Sequence, residues 1–310
     1  MTTEVLLTAY NGEAWLPAQL DSLLSQSVQD FTVLLQDDGS GDRTPEILRE
    51  YASRDPRFSL GKEQGQHLGA AGNFLSLIRQ TRADAVLLCD QDDRWEPEKI
   101  AALREALLNA EAQYGSETPL LIHSDCSVID EADHPIYPSF FRHQGWDPKA
   151  VGLRKLLVQN NVTGCTLIMN RPLISLIAEY GRAKDLFMHD WFIALTAASF
   201  GRICFLDQPL TRYRQHGENA IGASRTGQIA RGFTALNRRQ RAKKRIALTY
   251  THAKVFVRLC RGALPEEADR IISGYLETQK MGKLRRVITV RRGGYTMQSP
   301  VTRLGQMIFG

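Results

Sequence analysis

None of the chain's five cysteines stands in a Cys-x-x-Cys pair and their number is odd, which argues against both a thiolate zinc site and a disulfide framework. Cys89, Cys126, Cys165, Cys204 and Cys260 mostly sit inside apolar runs and read as small buried hydrophobes of a reducing compartment. No Lys or Arg occurs between residues 5 and 20, and the chain has no Gly-Lys-Ser/Thr. The glycine-rich stretch Gly65–Gly72 is therefore not a triphosphate cradle and reads as a flexible wall of a site. Met1-Thr2-Thr3-Glu4 lacks the basic and apolar regions of a secretory signal, so none is expected. The most apolar later stretch, Trp191 to Leu206, is interrupted by Gly201 and Arg202. It falls short of the ~18 residues a spanning helix needs and predicts a buried helix followed by a strand.

Acidic residues are scarce in one place only. From Arg225 to the end the chain has 19 Lys/Arg against 4 Asp/Glu, a net +15, whereas residues 1–224 carry 20 basic and 30 acidic side chains, a net −10. An acidic body followed by a basic, helix-patterned tail suggests two units with different tasks, 1–224 and 225–310. Hydrophobic (43%) and charged (24%) fractions are those of an ordinary globular protein, and 310 residues suffice for a substantial core.

What is abundant is carboxylate, concentrated at one point. Ala85 to Cys89 reads as a buried strand and runs directly into Asp90-Gln91-Asp92-Asp93. Carboxylates this close repel, and they call for solvent or a cation; hard divalent ions such as Mg²⁺ or Mn²⁺ take such oxygens and share them with phosphates. The bland reading is a solvated acidic turn before a helix. The rest of the N-terminal half weighs against it. Val5–Thr8 and Phe31–Leu35 are further apolar strands, each followed by a helical pattern, ending at Thr8-Ala9-Tyr10-Asn11 and at Asp37-Asp38. Alternating strands and helices predict an α/β fold with a mostly parallel sheet and helices on both faces, whose ligands bind beyond the carboxyl ends of the strands. The three polar strand ends would then share one edge. Farther on, Leu120–Ile122 ending at Ser124-Asp125, and Val162–Met169, are expected strands; Asp190 stands where a carboxylate favours a helix start.

Taken together, Thr8-Ala9-Tyr10-Asn11-Gly12, Asp37-Asp38-Gly39-Ser40, Asn73-Phe74, Asp90-Gln91-Asp92-Asp93-Arg94-Trp95, Thr163-Gly164-Cys165, His189-Asp190-Trp191 and Tyr213-Arg214-Gln215-His216 resemble glycosyltransferase family 2 in order and spacing. The subgroup is similar to bacterial rhamnosyltransferase-type enzymes of surface-polysaccharide assembly, and the resemblance covers about residues 3–222. It implies the GT-A fold, with a nucleotide-sugar half (1–115) and an acceptor half (116–224), and inverting transfer from a nucleoside-diphosphate sugar, with dTDP-rhamnose or a UDP-sugar as donor. Carried over by position, Tyr10 and Asp38, or its neighbour Asp37, line the base and ribose pocket, and Thr8, Asn11, Asn73, Asp90 and Gln91 complete the donor site. Asp90 and Asp92 stand at the Asp-x-Asp motif; Asp92 or Asp93 is nearest a Mg²⁺ or Mn²⁺ ion, and His216 closes over the diphosphate or the metal. Asp190 is the expected catalytic base, preceded here by His189 rather than a second acid. The expected acceptor is a saccharide or a lipid-linked saccharide.

Two other functions compete. A nucleotidyltransferase also joins an α/β sheet to metal-binding carboxylates, but the missing N-terminal lysines count against it. A non-catalytic sugar-nucleotide-binding or recruitment protein is opposed by the intact Asp90, Asp92, Asp93 and Asp190. The tail, with Leu248, Tyr250, Val255, Phe256 and Leu259 among its basic residues, predicts interfacial amphipathic helices on an anionic membrane surface, on the inner face of the cytoplasmic membrane. No nucleic-acid module accompanies the charge, so no nucleic-acid partner is expected.

Overall fold

The computed structural model describes residues 1–182, 185–186, 188–216 and 235–309, with side chains of the last segment from residue 239. The expected boundary at Ser224 lies outside the described residues. Strands β1 (Thr3–Ala9), β2 (Thr32–Asp37), β3 (Phe58–Leu60) and β4 (Ala85–Asp90) form a parallel sheet in the order β3-β2-β1-β4. Beyond β4 the sheet continues through an antiparallel strand, β8 (Leu167–Asn170), and then through β6 (Leu120–Ile129) and β9 (Arg202–Arg214), which run parallel to each other. Two short strands, β5 (Arg94–Trp95) on β9 and β7 (Pro135–Tyr137) on β6, complete it.

The two-residue period of the central strands divides their side chains between two cores. Val5, Leu7, Val33, Leu35, Leu87 and Cys89 face one layer, formed by α1 (Leu16–Leu24), α2 (Thr44–Arg54) and α4 (Lys99–Tyr114). Leu6, Val86 and Leu88 face the other, formed by α3 (Gly69–Gln80), α7 (Arg171–Tyr180) and α8 (His189–Phe200). Helices on both faces explain why these strands are apolar throughout instead of alternating with polar residues. Between β7 and β8 come two short helices, α5 (Phe140–Gln144) and α6 (Leu153–Leu156).

Several local expectations are corrected. β6 does not end at Ser124-Asp125 but runs on to Ile129, because β9 continues beside it through irregular register at those two residues. Val162–Met169 is not one strand: Gly164–Thr166 forms a 3₁₀ turn, and only Leu167 onward joins the sheet. The glycine-rich wall is tied down on one side, since Leu68 and Gly69 donate their backbone N–H groups to the Asp38 carboxylate.

The C-terminal segment is helical: α9 (Ala235–Leu259), α10 (Glu266–Glu277), α11 (Lys283–Arg292) and α12 (Pro300–Phe309). Its apolar side chains were expected at a lipid interface, and for α9 this is overturned. Ile246, Tyr250, Ala253, Phe256 and Cys260 are buried in the same core as Trp191 and Phe192 of α8, while Leu248 and Val255 are half-buried. No helix among the described residues is long and apolar enough to cross a membrane.

Candidate active site

The register of the parallel sheet places Thr8 beside both Asp90 and Gln36, and Ala9 beside Asp37, so the polar ends of β1, β2 and β4 meet at one edge. The Gln91 side chain clasps the Tyr10 backbone, accepting from its N–H at 2.7 Å and donating to its carbonyl at 2.9 Å. Gly12 makes this possible, because a Cβ there would stand 2.3 Å from Oε1 of Gln91. Asn11 is left-handed (φ 48°), a conformation Asn tolerates, and its amide oxygen accepts from Gly41 N–H at 2.9 Å. Tyr10 is left exposed, its ring 5.2 Å from that of His67.

Asp37 and Asp38 are both buried and both already serve backbone donors. Asp37 accepts from the N–H groups of Gly39 (2.9 Å) and Ser40 (3.1 Å), closing its own turn, and Asp38 takes those of Leu68 and Gly69 at the start of α3. Asn73 is buried too, accepting from the Gln36 amide at 2.6 Å. Of the residues expected at the base and ribose pocket, Tyr10 is thus exposed, whereas Asp37 and Asp38 are buried and held by backbone donors.

The acidic turn divides into two pairs. Carboxylate oxygens of Asp90 and Asp93 lie with the Cys165 sulfur within 4.8 Å of one another. Asp92 instead pairs with His216, Oδ2 to Nε2 at 2.7 Å, and the imidazole stacks on Trp15 at 4.2 Å. Burial, then Asp93 and Asp92, push Asp90 well above the usual carboxylate range; burial and Asp92 raise Asp93. The Oδ1 of Asp93 accepts Arg214 N–H at 3.1 Å, while its Oδ2 is buried with no hydrogen-bond partner. An unpartnered buried carboxylate oxygen facing a second carboxylate suits a hard divalent cation, so these residues fit the metal that the sequence implies.

Two residues organise this turn in ways the sequence does not reveal. Arg214, almost fully buried, donates Nε to the Asp92 carbonyl at 2.8 Å and Nη1 to the carbonyls of Asp130 and Glu131, each at 3.1 Å, and its guanidinium pairs with Asp133. Lys99, completely buried, donates to the Cys165 carbonyl at 2.5 Å and to the Thr211 hydroxyl at 2.8 Å, with its ammonium 3.5 Å over the Trp95 ring. Burial pulls its pKa down to about 8, and the cysteines and Asp93 resist that shift. It thus supplies a fixed positive charge behind the carboxylates and joins α4, the 3₁₀ turn and β9. Lys99→Met should lower the melting temperature, since removing one member of a buried charge set costs roughly 3–5 kcal/mol. Thermal denaturation checks this, and an unchanged melting temperature would show that the ammonium is dispensable.

Asp190 sits in the first turn of α8, buried, with Oδ1 accepting the Trp191 N–H at 2.6 Å. Burial raises it to about 7, opposed by backbone donors of Trp191 and Gly164, and its own charge reaches Asp90. Gly164 lets the His189 ring sit close against the 3₁₀ turn, since a Cβ there would lie 3.0 Å from His189 Nε2, with the Asp190 Cβ in ordinary contact at 3.7 Å. His189, 4.3 Å from the Phe74 ring, is held down to about 4 by burial and is neutral near pH 7. It therefore does not add a second charge beside Asp190.

Comparison with known proteins bears on the family and the fold. The model of Glycosyl transferase family 2 matches residues 4–171. A dTDP-rhamnosyl transferase, RfbG of Shigella flexneri, is 26% identical over 231 residues, which cover 70% of this chain and 74% of that protein. Among solved structures, S. aureus TarS 1-349 in complex with UDP-GlcNAc superposes with a TM-score of 0.54 at 15% identity, covering 94% of this chain and 80% of that one. The mannosyltransferase PcManGT from Pyrobaculum calidifontis, in complex with GDP-Man and Mn²⁺, gives 0.53 at 18% identity, covering 94% and 72%. The chain spans 43% of the longer TarS chain. With its GT-A fold, and with more than half its length matched by the family's model, the chain belongs to glycosyltransferase family 2.

Proposed function

We propose that this glycosyltransferase moves a sugar, rhamnose in the first instance, from a dTDP- or UDP-sugar to a saccharide or lipid-linked saccharide acceptor of surface polysaccharide, inverting the anomeric carbon. The observation that carries the proposal is the buried Asp190 carboxylate at the start of α8, packed against Gly164, whose neighbour Cys165 lies beside the Asp90 and Asp93 carboxylates. Support for the donor class comes from the rhamnosyl transferase relative and from the nucleotide sugars bound by the two structural neighbours.

In this reading the exposed Tyr10 ring meets the nucleobase, and Asp37, Asp38, Thr8, Asn11, Asn73 and Gln91 fix the walls around it. Asp92 and Asp93, with Asp90 beside them and His216 against Asp92, would hold a Mg²⁺ or Mn²⁺ ion. When bound, such an ion neutralises charge on the departing nucleoside diphosphate. Asp190 takes the proton of the acceptor hydroxyl as its oxygen attacks the face opposite the diphosphate, so no covalent enzyme intermediate is needed. Residues 1–224 are proposed to carry donor and acceptor sites in their two halves, and residues 225–310 to bring the enzyme to an anionic membrane surface.

Release of nucleoside diphosphate from dTDP-rhamnose, UDP-GlcNAc and GDP-mannose, with Mn²⁺ and candidate acceptors, tests the activity. No release with any donor would favour the non-catalytic binding alternative. The base also sets a pH profile. Asp190 acts only when ionised, and with a pKa of about 7 its active fraction rises from about a tenth at pH 6 to about nine tenths at pH 8. The turnover number should therefore climb through neutrality, and a rate flat from pH 5.5 to 8 would remove Asp190 from that role.

A further inference from the structure

Five of the eleven large apolar side chains exposed among the described residues lie on α11 and α12. On α12 they are Val301 (79% exposed), Leu304 (61%) and Ile308, at i, i+3 and i+7; on α11 they are Leu284 (77%) and Ile288, at i and i+4. Each set is one helical stripe. The inward sides are already satisfied: Val290 of α11 is buried, and Gln306 of α12 donates to the Tyr295 carbonyl at 2.8 Å and accepts from Met297 N–H at 3.0 Å. After Glu277 the sequence has no acidic residue and seven basic ones, Lys280, Lys283, Arg285, Arg286, Arg291, Arg292 and Arg303. An outward apolar stripe flanked only by cations is the composition of a helix lying in the headgroup layer of an anionic bilayer.

We propose that the stripes of α11 and α12, and not the more basic α9, are the surface by which this chain docks on anionic lipid. This rests on the membrane reading given above and assigns it to particular side chains. The basic residues of α9 from Arg241 to Arg245 are exposed, but that helix has turned its apolar face into the protein. It can attract a charged surface and has little to insert. Leu284 and Ile288 have both an outward direction and neighbouring charge, and Val301, Leu304 and Ile308 add outward apolar surface on α12, whose one cation, Arg303, donates to the Met297 and Gln298 carbonyls. Each basic residue engaged at the headgroups strengthens partitioning about fivefold, and each apolar side chain inserted adds to that.

The test is co-flotation of the full chain with vesicles rich in phosphatidylglycerol, against vesicles of phosphatidylcholine alone. Wild type should float with the first at low salt and be released at high salt. The triple variant Leu284→Asp, Val301→Asp, Leu304→Asp changes only exposed positions, so its melting temperature should hold while its partition coefficient falls at least about tenfold. Lys243→Gln with Lys244→Gln on α9 should lose less than the triple variant. Wild type that stays unbound overturns the membrane reading itself. Wild type that floats together with an equally bound triple variant leaves that reading intact and overturns the assignment to α11 and α12. A triple variant that floats normally but changes the oligomeric mass in solution would make the stripes a contact between copies of the chain, which also overturns it.

Discussion

Asp190→Asn should reduce the turnover number by about 10²–10⁴-fold while leaving donor affinity unchanged. The amide is nearly isosteric, and its oxygen can still accept the Trp191 N–H that now binds Oδ1, so the first turn of α8 keeps its geometry. What is lost is the ability to take a proton from the acceptor hydroxyl. Because burial already disfavours the charged carboxylate, the neutral amide is also well tolerated in its site. Donor titration calorimetry and diphosphate release on the same preparation separate the two effects. A wild-type rate would refute the assignment, and parallel losses of affinity and rate would move Asp190 into the donor pocket.

Asp92→Asn and Asp93→Asn should each lose most transfer, with a drop of about 10²–10³ for one electrostatic group and more where metal affinity falls too. Chelation with excess EDTA should match the stronger of them, and Mn²⁺ should restore wild type but neither variant fully. The two will differ in kind. Asp93 is completely buried between Arg214 N–H and its orphan Oδ2, so an amide there places N–H donors where a cation is expected. Asp92 is partly exposed and tied to His216, so its loss frees the imidazole from its carboxylate without disturbing the core. A melting-temperature shift on adding Mn²⁺ to wild type, absent in the variants, gives a readout independent of catalysis. Full activity of both variants, or of wild type in EDTA, would end the metal reading.

The parallel half of the fold was legible because its strands are short, apolar on both faces and each closed by a polar cluster, as in Val5–Asn11 and Ala85–Asp93. The acidic turn could be singled out because carboxylates crowded at a strand end carry a local electrostatic signal, whereas Asp190 read locally only as a helix start and owed its expected role to the family resemblance. Sequence did not reveal which carboxylate pairs with which. The Asp92–His216 contact joins residues 124 apart, and nothing local encodes it. Lys99 was invisible for a related reason: on an amphipathic helix a lysine ordinarily faces water, and its burial depends on Cys165 and Thr211 arriving from distant segments. The strand break at Gly164 and the continuation of β6 are likewise decided by tertiary pairing over propensity. For α9 the composition was read correctly as amphipathic but assigned the wrong cover, since protein and lipid both satisfy an apolar stripe.

The core shared by α8 and α9 separates the boundary of similarity from the boundary of folding. The match to the family ends at residue 171 and the expected motifs end by His216, yet a chain cut after His216 would lose the cover of Trp191 and Phe192. His252 lies 4.3 Å from the Trp191 ring and Phe256 5.9 Å from Phe192, with Ile246, Tyr250 and Ala253 alongside. Each large apolar side chain returned to water costs about 1.5–3 kcal/mol, so a handful consumes the roughly 5–15 kcal/mol by which a domain of this kind is stable. The smallest functional version of this enzyme is thus longer than its recognisable catalytic sequence. Shortened versions should be recovered as aggregates, and point substitutions on the intact chain are the sound way to dissect it.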